Sequence, residues 1–198
     1  VDLQKLNVKL FVEPPNAVPL TDFIEIFHGW IQATDGIYHD VADYSHMQAG
    51  PGIVLVANDA NLSIDESDKR RGLLYSRKSP LGGSNVEKLR AVLRCGLENF
   101  RKLEREPRLN GKFRLLGDEA LIAVNDRLTA PNTDESFAAV APQIEAVAKH
   151  VFAGAEISLE REPDRRRKFA VRVKASRSFT ADELLRRLQS INRTEGWE

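Results

Sequence analysis

The sequence predicts an α+β fold, an antiparallel or mixed sheet with helices packed mainly on one face. Three features point there. Short segments rich in β-formers come in pairs separated by turn residues. Longer stretches carry apolar side chains on one stripe at helical spacing, with charged residues opposite. A helix of that kind must bury its stripe against another layer, and hairpins followed by helices do so on one side of a sheet.

Leu6–Val12 alternates in part and reads as a strand, ended by Pro14-Pro15. Thr21 is the expected cap of the first helix, with Asp22 in its first turn and Phe23, Phe27, Trp30 and Ile31 on one face. Ile37 to Ala42 suits a short strand, and Gly50-Pro51-Gly52 is a turn signal. The continuous apolar run Ile53–Ala57 suits a central strand, and Asn61–Asp65 alternates as a half-exposed one. After the charged loop Glu66 to Arg71, Gly72–Arg77 makes another strand.

Ser84 opens the clearest helix, with Val86, Leu89, Leu93, Gly96, Leu97, Phe100 and Leu103 in one stripe and Pro107 beyond its end. Lys112–Leu116 and Ala120–Asn125 predict a hairpin around Gly117-Asp118. The helix that follows aligns Phe137, Val140, Ile144, Val147 and Val151. Pro142 inside it predicts a kink or the start of a second helix, because proline lacks the N–H and crowds the preceding turn. Glu156–Glu160 and Phe169–Lys174 flank a charged tip. Thr180 and Glu183 form a capping box for a last helix that buries Leu184, Leu185, Leu188 and Ile191. The order suggests a single domain over residues 1–198, with a strand-strand-helix unit repeated three times.

Composition is that of an ordinary globular chain, 42% hydrophobic and 29% charged. A chain of 198 residues buries enough surface to need no disulfide or metal for its core. Cys95 is the only cysteine, which excludes an internal disulfide or a cysteine zinc cage and fits a reducing compartment. No apolar run approaches the roughly 18 residues of a membrane span, so a cytoplasmic protein without a membrane partner is expected. Net charge is zero but uneven. Residues 1–68 hold 11 acidic and 2 basic side chains, and residues 69–198 hold 18 acidic and 27 basic. The two parts attract, within one chain or between chains.

His39, Asp43 and His46 form the first candidate site, with His28 as a further ligand from the first helix. On a helix the three would share one face, and two imidazoles with a carboxylate suit iron, zinc or manganese. Gly36 and the Gly50-Pro51-Gly52 turn leave little room for that helix, and H-E-x-x-H is absent. The competing reading is a polar loop whose Asp and Ser side chains bond the backbone.

Arg77, Lys78, Gly82, Gly83 and Ser84 form the second, a basic, glycine-rich turn entering a helix. Free N–H groups there can hold phosphate or carboxylate. The same residues also make a plain loop and cap. Asn125, Asp126 and Arg127 can line a pocket at a strand end or form a turn. The tip with Arg161, Arg165 to Lys168, Arg172, Lys174 and Arg177 can grip phosphates, but only Phe169 interrupts it, so nucleic acid is disfavoured. Asp118 and Glu119, adjacent in the expected turn, are expected to be solvated. No G-x-S-x-G elbow supports nucleophilic catalysis, and Cys95 falls beside a helix stripe as packing.

Phe27-His28-Gly29-Trp30-Ile31-Gln32, Asp40-Val41-Ala42-Asp43-Tyr44 with His46, Gly50-Pro51-Gly52 and Gly72-Leu73-Leu74-Tyr75-Ser76-Arg77-Lys78 resemble a family of bacterial proteins of unknown function. The resemblance continues through Asn125-Asp126-Arg127-Leu128 and Pro131-Asn132-Thr133. It implies a bacterial, cytoplasmic, single-domain protein and carries no activity. The expectation is therefore a non-enzymatic binding or assembly module, without cofactor, that binds a protein partner or itself as a homo-oligomer. A metal protein or metal-dependent enzyme at the histidines, and an anion sensor at Arg77–Ser84, stay open beside it.

Overall fold

A computed structural model describes residues 1–47 and 50–190. Eight strands form one antiparallel sheet in the order β2-β3-β4-β5-β1-β6-β8-β7. They are β1 (Leu6–Val12), β2 (Tyr38–Asp43), β3 (Ile53–Ala57), β4 (Ala60–Asp65), β5 (Gly72–Arg77), β6 (Leu115–Val124), β7 (Ile157–Arg161) and β8 (Ala170–Ala175). The helices are α1 (Leu20–Ala33), α2 (Asn85–Glu104), α3 (Asp134–Val151) and α4 (Ala181–Ser190).

One row of side chains crosses the whole sheet. Val41, Leu55, Leu62, Tyr75, Val8, Ile122, Val171 and Arg161 are successive cross-strand partners. This row faces the helices. A Cβ on Gly96 of α2 would lie 2.8 Å from the Val8 side chain, so glycine lets that helix settle onto β1. α1 packs on β2 and β3, α2 on β1 and β5, and α3 on β7, while α4 packs on α2 and α3. Phe113 wedges between two helices, edge-on to Phe23 of α1 at 5.4 Å and stacked on Phe100 of α2 at 4.9 Å. Burying each such ring contributes about 1.5–3 kcal/mol. Among the described residues, the opposite face of the sheet carries no α-helix.

Ser84 caps α2 through a capping box with Glu87, and Thr180 and Glu183 make the same reciprocal bonds before α4. Ile191, expected on the buried side of α4, lies outside the described residues. Two expectations are corrected and one is narrowed. Pro19, not Thr21, stands at the N-cap of α1, because the helix begins one residue before Thr21. α3 is one helix with Pro142 inside it, so no second helix starts there. Residues 115–124 are a single strand, so the expected hairpin around Gly117-Asp118 does not form and the middle strand-strand-helix unit loses a strand.

The glycine explains this last difference. Gly117 has φ +75° and marks a bulge, where the β1–β6 register shifts between Leu10 and Val12. A Cβ there would lie 2.1 Å from the Phe179 carbonyl oxygen. The signal of a turn is a bend within one strand, made so that the segment before α4 can approach.

Candidate functional site

Phase along β1 decides which residues look into the helices and which look out. Leu6, Val8, Leu10 and Val12 pack inward, which turns Asn7, Lys9 and Phe11 to the helix-free face. An uncovered sheet face normally leaves such side chains in water. Here Asn7 is 8% exposed, Lys9 4% and Asp65 3%.

Two loops account for the burial. Glu66–Arg71 joins β4 to β5 at the end of the sheet where β1 finishes. The β7–β8 turn, residues 162–169, leaves from the other end, beside Ala123 of β6. It leans back over the face until Arg167 pairs with Asp68 at 2.9 Å. Asn132, buried, holds the root of this strap by donating to the carbonyls of Glu162 and Asp164. Arg127 donates to the Arg166 carbonyl at 2.7 Å.

Beneath the strap is a cavity of about 450 Å³. Its floor is Asn7, Lys9, Leu74, Leu121, Ala123 and Ala170. Cationic groups dominate its walls: Lys9, Arg70, Arg127, Arg166, Arg167, Lys168 and Arg172 against Asp65, Asp68 and Glu162. Lys9 pairs with Asp65 at 2.5 Å and also donates to the Ser67 carbonyl. Burial pushes its ammonium below the ordinary value of 10.5, against the pull of Asp65. Arg70 makes a two-pronged bond to Glu119, at 2.6 and 2.9 Å, and lies over the Phe11 ring. Arg172 donates to the same carboxylate at 2.6 Å. Glu119 is therefore buried and doubly paired, which corrects the expectation of a solvated turn carboxylate; it points from a strand, not from a turn. Lys168 has no protein partner among the described residues.

The sequence-predicted sites separate under this geometry. Arg127 reaches the cavity rim, whereas Asn125 and Asp126 form the turn after β6, with Asp126 accepting from the Leu128 and Thr129 N–H groups. At the second candidate, Ser84 N–H and Oγ both donate to Glu87, at 2.7 and 2.8 Å. A carboxylate of the chain itself thus sits at the α2 N-terminus, and Gly83 lies against it. Arg77 donates to the Ser79 carbonyl and Lys78 to the Ala57 carbonyl, while Gly82 is exposed. These residues make a braced loop and cap.

The stretch around the histidines is extended, not helical. His39 lies on β2 and bonds Asn58; Asp43 accepts from the Ser45 N–H, and the bonds from Ser45 hold its carboxyl below the usual range. His28 is exposed on α1 and His46 is exposed in the following turn. His150 is far along the chain on α3 and donates to the Arg187 carbonyl. Among the described residues, no group of three His, Cys, Asp or Glu side chains is placed to hold a metal ion. Cys95 is half-buried and packs against the core.

Sequence reasoning missed Asn7, Lys9, Asp65 and Glu119. A signal existed for Lys9: a lysine within Leu6–Val12, between positions that must be buried, needs a partner on the other face. Its partner stands 56 residues away and two strands over, which no local pattern shows. No helix among the described residues is long and apolar enough to cross a membrane. No protein-family model and no curated protein matches the chain.

Proposed function

We propose that the chain is a non-enzymatic binding module that seats a small anionic ligand on its helix-free sheet face, beneath the β7–β8 strap. The observation that carries this reading is the excess of cationic side chains around one cavity beneath the strap, with Lys168 and most of the Arg127 guanidinium free of protein partners among the described residues. Its volume is within the range of small-molecule sites. Guanidinium and ammonium groups at a rim take up carboxylate or phosphate without a metal. Thermal unfolding at low salt with pyrophosphate and citrate tests it. Either anion should raise the melting temperature, less so at high salt, and the R127A/K168A variant should lose the effect. No rise, or an equal rise in the variant, contradicts the reading.

Self-association is a second proposal, and it rests on β2. This is an edge strand, and Ile37, Tyr44 and Met47 around its ends are exposed apolar side chains. The opposed charges of the two chain segments support it less. Glu66–Arg71, Asp59–Arg77, Asp2–Lys88, Glu25–Arg108, Glu13–Arg114 and Asp68–Arg167 already join them within one molecule. Light scattering across protein concentration decides it, and a monomer throughout removes the proposal.

A further inference from the structure

We infer that the ligand is of mononucleotide class: a flat heteroaromatic ring whose edge is read by Asn7, joined to a phosphate held at the strap. This rests on the reading of the cavity as an anion seat.

Asn7 is 8% exposed and lines the cavity, and its carboxamide, not fully closed off from solvent, makes no hydrogen bond to protein among the described residues. A carboxamide left free of protein partners at the floor of a cavity is available to a ligand. A carboxamide presents an acceptor and a donor side by side. The complementary edge is a ring nitrogen next to an amino group, the pattern by which asparagine pairs with adenine.

The neighbours of Asn7 supply the rest of a ring site. Its cross-strand partners on one side are Ala123 and then Ala170. Two alanines in that row leave a slot beside the carboxamide, and Leu74 and Leu121 in the next row give it apolar walls. The floor is thus apolar where a ring face would lie and polar where its edge would lie. Lys168 and Arg127 stand at the rim, where a phosphate on the same molecule would reach them.

The cavity stays partly open to solvent, but the strap that crosses it favours a single nucleotide over a strand. The strap closes across the face through Arg167 and Asp68. Phe11, the one aromatic ring in the cavity lining among the described residues, is covered by Arg70 at 4.0 Å. Readers of single strands use open grooves and free aromatic platforms.

Calorimetric titration with adenosine monophosphate, ribose 5-phosphate and a short oligoadenylate tests the inference. Adenosine monophosphate should bind about tenfold more tightly than ribose 5-phosphate, the scale of hydrogen bonds to a buried carboxamide. Asn7→Leu should remove that difference and leave ribose 5-phosphate binding unchanged. If that variant does not fold, Ala123→Leu, which fills the slot, should do the same. Equal binding of the two phosphates by the native protein overturns the ring site and leaves the anion seat standing. Binding of neither overturns both. Oligoadenylate binding without the mononucleotide overturns the inference in favour of a strand.

Discussion

Lys9 reaches Asp65 by passing over Gly72, linking β1 to β4 across the intervening β5. A Cβ on Gly72 would lie 3.0 Å from the Lys9 Cε and 2.5 Å from the Leu10 carbonyl oxygen, so the glycine is the opening through which the pair forms. Both charges are buried. Removing one strands the other, which costs about 3–5 kcal/mol, whereas replacing both with apolar groups is near neutral. Urea unfolding should show D65N and K9M each strongly destabilised, and K9M/D65L close to the native protein.

Gly72→Ala should cost about 1–3 kcal/mol from overpacking alone, since the Leu10 backbone cannot move without its strand. Gly117→Ala should cost more, because it adds a left-handed φ to a 2.1 Å approach on the Phe179 carbonyl. Gly82→Ala, at an exposed glycine with ordinary φ and open space around it, is the control and should fall within about 0.5 kcal/mol.

Acid should attack the Glu119 cluster. Burial pushes its carboxyl up, but the hydrogen bonds and charges of Arg70 and Arg172 outweigh burial and leave it below its ordinary value of 4.5. The unfolded chain therefore takes up the proton first as pH falls. The contribution is fully present above pH 4.5 and is lost as pH falls through the folded value. E119Q, though less stable at neutral pH, should show a shallower loss of stability below pH 4.5 than the native protein, measured by chemical unfolding at stepped pH. Parallel profiles contradict the assignment.

The strap should be loosened without unfolding the sheet. Arg167 and Asp68 are each about half exposed, so their pair contributes under about 1 kcal/mol to global stability. D68A should keep the native melting transition while trypsin cuts faster at Arg165 to Lys168. Unchanged cleavage would show that Asn132 and Arg127 hold the strap unaided.

The sheet and helices were largely legible because each is a local pattern. Val8 and Leu10 alternate with Asn7 and Lys9, and Ser84 stands three residues before Glu87. Gly117 misled because a left-handed glycine serves a hairpin turn and a strand bulge equally, and only Phe179, 62 residues away, distinguishes them. The cavity was illegible for a related reason. Its parts come from β1, β4, β5, β6, β8, the β4–β5 loop and the strap, and antiparallel register, not spacing, brings Asn7 to Ala123. The histidines stood close in sequence, yet His39 lies on the extended β2, and no three ligand side chains converge there among the described residues. Of the basic tip, Arg161 and Arg165 are spent on Asp134, and Arg167 crosses to Asp68 in the acidic first third.

Amide resonance mapping during titration with adenosine monophosphate tests the cavity most directly. The side-chain amide of Asn7 and the backbone amides of Arg127 and of residues 166–168 should move together and saturate at one concentration. Shifts confined to Arg77–Ser84 or to the β2 edge, or none at all, would contradict a ligand seat on the helix-free face.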